Sequence, residues 1–158
     1  MSIKTNVTRL LDARQINYET HEYDGAIFHS AEEVAALIDA PAAHVYKTIV
    51  VLHEDRAKKP LLVMIAARRE IDLKKLAASV GEKKLKIAKH DEAEALTGLQ
   101  VGGISALALL NKPFEVCLDR PALALTHLHL SGGQRGLDVK IGVPDLIQLT
   151  KAKIVEAA

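Results

Sequence analysis

Two apolar runs separated by a charged turn constrain this chain most. Val45–Leu52 (VYKTIVVL) is continuous and β-branched apart from Tyr46 and Lys47, and Leu61–Ala67 (LLVMIAA) follows it. The charged segment Asp55–Pro60 lies between them. Runs of this length and composition read as buried strands, and the short turn pairs them into a hairpin. Lys47 is the one charge inside the hairpin's first strand. From the sequence it is either a rim residue reaching to water or a charge aimed into a cleft.

The rest of the chain falls into short elements. Apolar residues at helical spacing place an amphipathic helix over residues 3–14. Ile16–Tyr23 alternates as a strand. Ser30 and Glu33 form a capping box that opens a helix over Ala31–Ile38. Asp72 caps a helix running to Val80, with Gly81 at its end, and Asp91 caps another over Glu92–Leu96, ended by Gly98. Lys84–Ala88, Phe114–Leu118, His127–Leu130 and Leu137–Ile141 read as strands, and Pro144–Thr150 as a last helix followed by a short tail. Ala106–Leu110 is ambiguous between helix and strand. The expected fold is a single α+β domain spanning residues 1–158. Its sheet is mixed, mainly antiparallel and barrel-like, with about seven strands flanked by helices.

Composition narrows the function. A chain of 158 residues that is 49% hydrophobic has a core of ordinary size. A net charge of +1 gives no global field for nucleic acid, and DNA is not an expected partner. The charge is nonetheless uneven. Arg68, Arg69, Lys74, Lys75, Lys83, Lys84, Lys86 and Lys89 outnumber Glu70, Asp72 and Glu82 in one stretch. That stretch is either a solvated face or a phosphate-docking surface. The single cysteine, Cys117, rules out an internal disulfide and favours a reducing cytoplasm; within its apolar strand it reads as an inert core thiol. No segment is apolar enough to suggest a membrane partner.

Two glycine-rich stretches remain. In Gly98–Leu107 (GLQVGGISAL), Gly102 and Gly103 lie between apolar residues and not in a polar turn. The loop is either a bend or a nest of bare N–H groups for a carbonyl oxygen or oxyanion. It matches neither a Walker loop nor a dinucleotide fingerprint. Ser131–Asp138 (SGGQRGLD) reads as a hairpin turn, and Asp138 beyond it is a pocket carboxylate or a solvent-facing one. His127 and His129 share a strand face but lack a third ligand at metal spacing, so neither metal nor cofactor is expected. Ser105 has no neighbouring base, and no nucleophile elbow is present.

Taken in order, VYKT, DLKKLA, TG-x-x-VGGIS and SGGxRGLD resemble the motifs of the YbaK/ProX family of aminoacyl-tRNA deacylases, free-standing relatives of the prolyl-tRNA synthetase editing domain. The chain is most similar to the branch that hydrolyses Cys-tRNA(Pro). The resemblance implies hydrolysis of the ester at the 3′ acceptor end of a mischarged aminoacyl-tRNA, with prolyl-tRNA synthetase as a further partner. It places Lys47 at the family's pocket lysine and Gly102 at the start of its Gly-x-x-x-Pro loop, the two catalytic positions. It assigns Tyr23, Gly103, Ile104, Ser105, Ala106, Ser131, Gly132 and Asp138 to the substrate-binding set. In the Cys-tRNA branch the substrate thiol assists its own release, so the protein need not supply a nucleophile. Two positions depart from the family pattern: Ala106 stands where the loop closes on proline, and Gln134 where a basic residue is expected. A non-catalytic tRNA- or synthetase-binding module and a small-ester hydrolase are the competing readings.

Overall fold

The hairpin forms as its composition requires. In a computed structural model, which describes residues 3–158, β2 (Tyr46–His53) pairs antiparallel with β3 (Leu61–Ala66), Val50 opposite Leu62 and Tyr46 opposite Ala66. Every residue of β3 is buried, because the strand is covered on both faces. Leu62, Met64 and Ala66 enter one core with Tyr46, Val50 and Leu52; Leu61, Val63 and Ile65 enter a second with Val51 and Cys117. Full burial of such a side chain stabilises the fold by roughly 1.5–3 kcal/mol. This is why the run is continuous and not alternating.

The hairpin is extended on both sides. β4 (Leu85–Ile87) joins β2 antiparallel, while β5 (Glu115–Asp119) and then β8 (Lys153–Val155) add in parallel, giving the order β4-β2-β3-β5-β8. Helix α3 (Leu73–Val80) covers one face through Leu76 and Ala77. The other face meets a three-stranded antiparallel sheet, β1 (Tyr18–Glu22), β7 (Leu137–Gly142) and β6 (His127–Ser131), in that order. Leu128, Leu130, Val139 and Ile141 line that side of the core, with Val7 and Leu11 from α1 (Asn6–Ala13), Ala93 from α4 (His90–Thr97) and Leu146 from α5 (Val143–Thr150). Helix α2 (Ala31–Leu37) packs separately, through Ala35, on Val45 and Ala67.

Local signals hold where they are local. Ser30 and Glu33 form the expected capping box, Asp72 accepts from the Lys75 amide, and Gly81 and Gly98 close their helices in the left-handed region. Asp91 is not a cap: α4 begins at His90, and the Glu92 carboxylate bonds back to the Lys89 amide. The ambiguous segment is a 3-10 turn over Ala106–Leu109. The barrel-like closure does not form among the described residues. Eight strands divide into two sheets, which touch through an isolated bridge between Val45 and His129. The tail is not loose, since β8 pairs with β5 and the Ala157 amide donates to the buried Asp119 carboxylate. No helix of the described residues is long and apolar enough to cross a membrane.

Candidate active site

A cavity of about 480 Å3 opens where the two sheets, α2 and the loops around Phe28 and Gly102 meet. Lys47, Tyr23, Gly102, Ile104, Ser131 and Asp138 all line it. Of the expected site residues, Gly103, Ser105, Ala106 and Gly132 do not. Ser105 is fully buried, and its hydroxyl accepts from the Leu107 amide at the start of the 3-10 turn. Ala106, also fully buried, follows it in that turn.

Lys47 is half-buried at the wall, so the cleft reading describes its position. Its Nζ donates to the Ala67 carbonyl at 3.1 Å. Burial pushes its pKa below the usual lysine value, and Glu70 and Glu32 pull it back up. The ammonium has three donors and spends one on Ala67, which leaves charge and protons for a ligand.

The two glycine stretches interlock. Gly102 has φ +94°, a region that L side chains rarely adopt, and a methyl there would meet Phe28 Cδ1 at 3.2 Å and Arg135 Cγ at 3.3 Å. At Gly103 a methyl would lie 2.8 Å from Gln134 Cα, so the second glycine is what lets this loop touch the backbone of the other. Arg135 then locks them together: its Nε donates to the Val101 carbonyl at 2.7 Å. The loop amides are unequally used. Val101 donates to Glu94 Oε2 and Gly103 to the Gln100 carbonyl, both at 2.8 Å. Among the described residues the Gly102 and Ile104 amides have no protein acceptor. Both belong to cavity-lining residues, whereas the Gly103 amide is already committed to the loop itself.

Asp138 is only 2% exposed, which overturns its solvent-facing reading. It stands on β7 opposite His21 of β1 and Ser131 of β6. His129 Nδ1 lies 2.7 Å from Asp138 Oδ2. Burial raises the Asp138 pKa above the usual carboxylate value, while the hydrogen bond and charge of His129, and His21 beyond it, act the other way. Burial likewise raises the Tyr23 hydroxyl. His21, His129 and Asp138 bring their ligand atoms within 4.8 Å of one another, and His21 Nε2 is buried without a partner. They are the one group of metal-ligand type that the described residues assemble. Two ligands of a tetrahedral zinc stand about 3.3 Å apart, given bonds near 2.0–2.1 Å. The closest His129–Asp138 pair is shorter, and it is a hydrogen bond.

The sequence paired His129 with the wrong histidine. His127 is exposed at the strand end, and its Nδ1 lies 3.1 Å from its neighbour Thr126. The carboxylate and the second imidazole come from two other strands. Phe28 and Arg135 were also missed. The readable signal was the apolar triplet Ala26-Ile27-Phe28 in a loop between strand and capped helix, where no core pattern calls for one.

Residues 28–149 match the family model of the aminoacyl-tRNA editing domain, a span that contains both glycine loops, Lys47 and Asp138. The chain is 29% identical over 154 residues to EbsC of Enterococcus faecalis, provisionally named a Cys-tRNA(Pro)/Cys-tRNA(Cys) deacylase, covering 97% of this chain and 92% of that one. It is 25% identical over 155 residues to the prolyl-tRNA editing protein ProX of Acetoanaerobium sticklandii, covering 96% and 93%. A solved structure provisionally described as a trans-editing enzyme for prolyl-tRNA synthetase shares the fold, with a TM-score of 0.79 at 23% identity over 99% of this chain and 98% of that one. With more than half its length matched, the chain belongs to the aminoacyl-tRNA editing domain family.

Proposed function

We propose that this protein is a trans-editing deacylase that hydrolyses the ester between a wrong amino acid and the 3′ end of its tRNA. The observation that carries the reading is the convergence on one cavity of a half-buried lysine, two unbonded loop amides and a buried carboxylate. Ester hydrolysis passes through a tetrahedral intermediate whose oxygen becomes negative. The Gly102 and Ile104 amides stabilise that charge, and Lys47 holds a backbone phosphate or the developing anion. Asp138 faces the substrate's α-ammonium, which favours its ionised form.

The amino acid removed is cysteine and the tRNA is tRNA(Pro). The name of EbsC supports both choices, and that of ProX supports a prolyl tRNA. The substrate thiol then attacks its own carbonyl and displaces the ribose oxygen, and water opens the resulting ring. Prolyl-tRNA synthetase is the expected source of the mischarged tRNA.

The test is single-turnover deacylation of Cys-, Ala- and Ser-tRNA(Pro) alongside Cys-tRNA(Cys). Fast release of cysteine from tRNA(Pro) supports the reading. Release of alanine or serine at an equal rate removes the thiol from the mechanism. No release from any of the four overturns the deacylase.

A further inference from the structure

Six large apolar side chains are exposed among the described residues: Ile27, Phe28, Leu37, Ile87, Leu96 and Leu123. Only Phe28 and Ile87 also line the cavity. Phe28 is one of two phenylalanines in the chain, yet it is 45% exposed. Its environment is built. The Arg135 guanidinium carbon lies 5.5 Å from the ring centroid, and the Val101 carbonyl fixes that cation in place. Gly102 abuts the edge of the pair, where a methyl would come within 3.2 Å of the ring. The loop is pinned on both sides of Phe28. The Ala26 amide donates to Asp24 Oδ1 at 2.9 Å, His29 Nε2 lies 3.1 Å from the Asp24 carbonyl, and the Ser30–Glu33 capping box follows. Ile87, 42% exposed, is the last residue of β4, which carries Lys86 and follows Lys84.

We infer that Phe28 is the platform on which the 3′-terminal base of the RNA stacks, with Arg135 bracing the ring and Ile87 bounding the other side of the mouth. The inference rests on the deacylase reading for its ligand, since an aminoacyl ester on RNA arrives attached to a terminal nucleoside. A base needs a flat apolar face when its ribose is held at a cavity mouth, and every base has a π-face to offer. The backbone phosphates then run toward Lys84 and Lys86, which no described carboxylate pairs within ion-pair distance. Fixing the ring beforehand removes the ordering cost that a mobile side chain would bring to binding.

The experiment uses a non-acylated acceptor-stem hairpin ending in CCA, with 2-aminopurine in place of the terminal adenine. Its fluorescence falls when the base stacks. Quenching is expected with the wild type and with Phe28→Trp. Phe28→Leu keeps the apolar packing but lacks a π-face; with it, quenching is lost and affinity falls about tenfold. A hairpin whose terminal nucleotide is abasic loses about the same factor on the wild type and nothing further on Phe28→Leu. Persistent quenching with Phe28→Leu, or full-strength binding of the abasic hairpin by the wild type, overturns the platform. Because the probe carries no ester, the two readings separate. Quenching without deacylation leaves the platform standing and removes the enzyme; deacylation without quenching does the reverse.

Discussion

Gly102→Ala, compared with Gly133→Ala, separates a functional loop from a structural bend. Both glycines sit at nearly the same backbone geometry, φ +94° and φ +98°. Both would place a new methyl against a side chain at similar distance, Phe28 Cδ1 at 3.2 Å for Gly102 and Val7 Cγ2 at 3.1 Å for Gly133. Holding an L residue there costs about 1–3 kcal/mol in either case. For a chain of this size each kcal/mol lowers the melting temperature by about 2–4 °C. The two variants should therefore melt several degrees below the wild type, and close to each other. They differ in place, since Gly102 lines the cavity and Gly133 does not. A methyl at Gly102 pushes Phe28 and Arg135, or the loop retreats and carries the Gly102 amide away from the ester. A displaced donor costs on the order of 100-fold in rate. The assay is single-turnover deacylation well below both melting points, beside thermal unfolding of each protein. Full activity in Gly102→Ala would make the loop a bend only. An equal loss in Gly133→Ala would assign the effect to strain in general.

Lys47→Ala should slow deacylation by roughly 30- to 1,000-fold, the equivalent of about 2–4 kcal/mol of lost charge stabilisation, with little change in melting temperature; near-normal single-turnover rates would remove Lys47 from the chemistry. Reversing the exposed Lys83, Lys84 and Lys86 to Glu should weaken tRNA binding and flatten its salt dependence, leaving hydrolysis of a short aminoacyl-adenosine ester intact; an unchanged salt slope would make the strip a solvated face. Asp138 has a native pKa raised by burial above 3.8, so its contribution to stability is complete below that pH and is lost as pH rises through the native pKa. The stability of the wild type relative to Asp138→Asn should fall across that acid window and then level off, as denaturant unfolding at stepped pH would reveal; a difference that rises there would contradict the sign. Ala106→Pro should fold, because Ser105 before it is extended (φ −138°, ψ 131°) and the Ala106 amide has no described acceptor; a melting temperature lower by more than about 10 °C would show that the buried site has no room for the ring.

What the sequence determined by itself was local. The capping box at Ser30, the Asp72 cap, the left-handed glycines at 81 and 98 and the β2–β3 hairpin each depend on residues a few positions apart, and propensity and burial pattern report them directly. Asp91 was misplaced as a cap because several polar residues compete at one helix start, and backbone geometry chooses between them. The motif order also carried Lys47, Tyr23, Gly102, Ile104, Ser131 and Asp138 to a common cavity. Tertiary structure decided the rest. Lys153–Val155 is three residues long, too short for a pattern to declare itself, and it becomes a strand because β5 offers it an unpaired edge. The division of eight strands into two sheets, with β5 and β8 added in parallel to the larger one, is likewise a matter of long-range pairing. His21 joins the His129–Asp138 pair of the β6–β7 hairpin from far away in the chain, and Phe28 and Arg135 are equally distant. Nothing in local spacing encodes such contacts; they exist only once strand register and loop packing have set which side chains share a face.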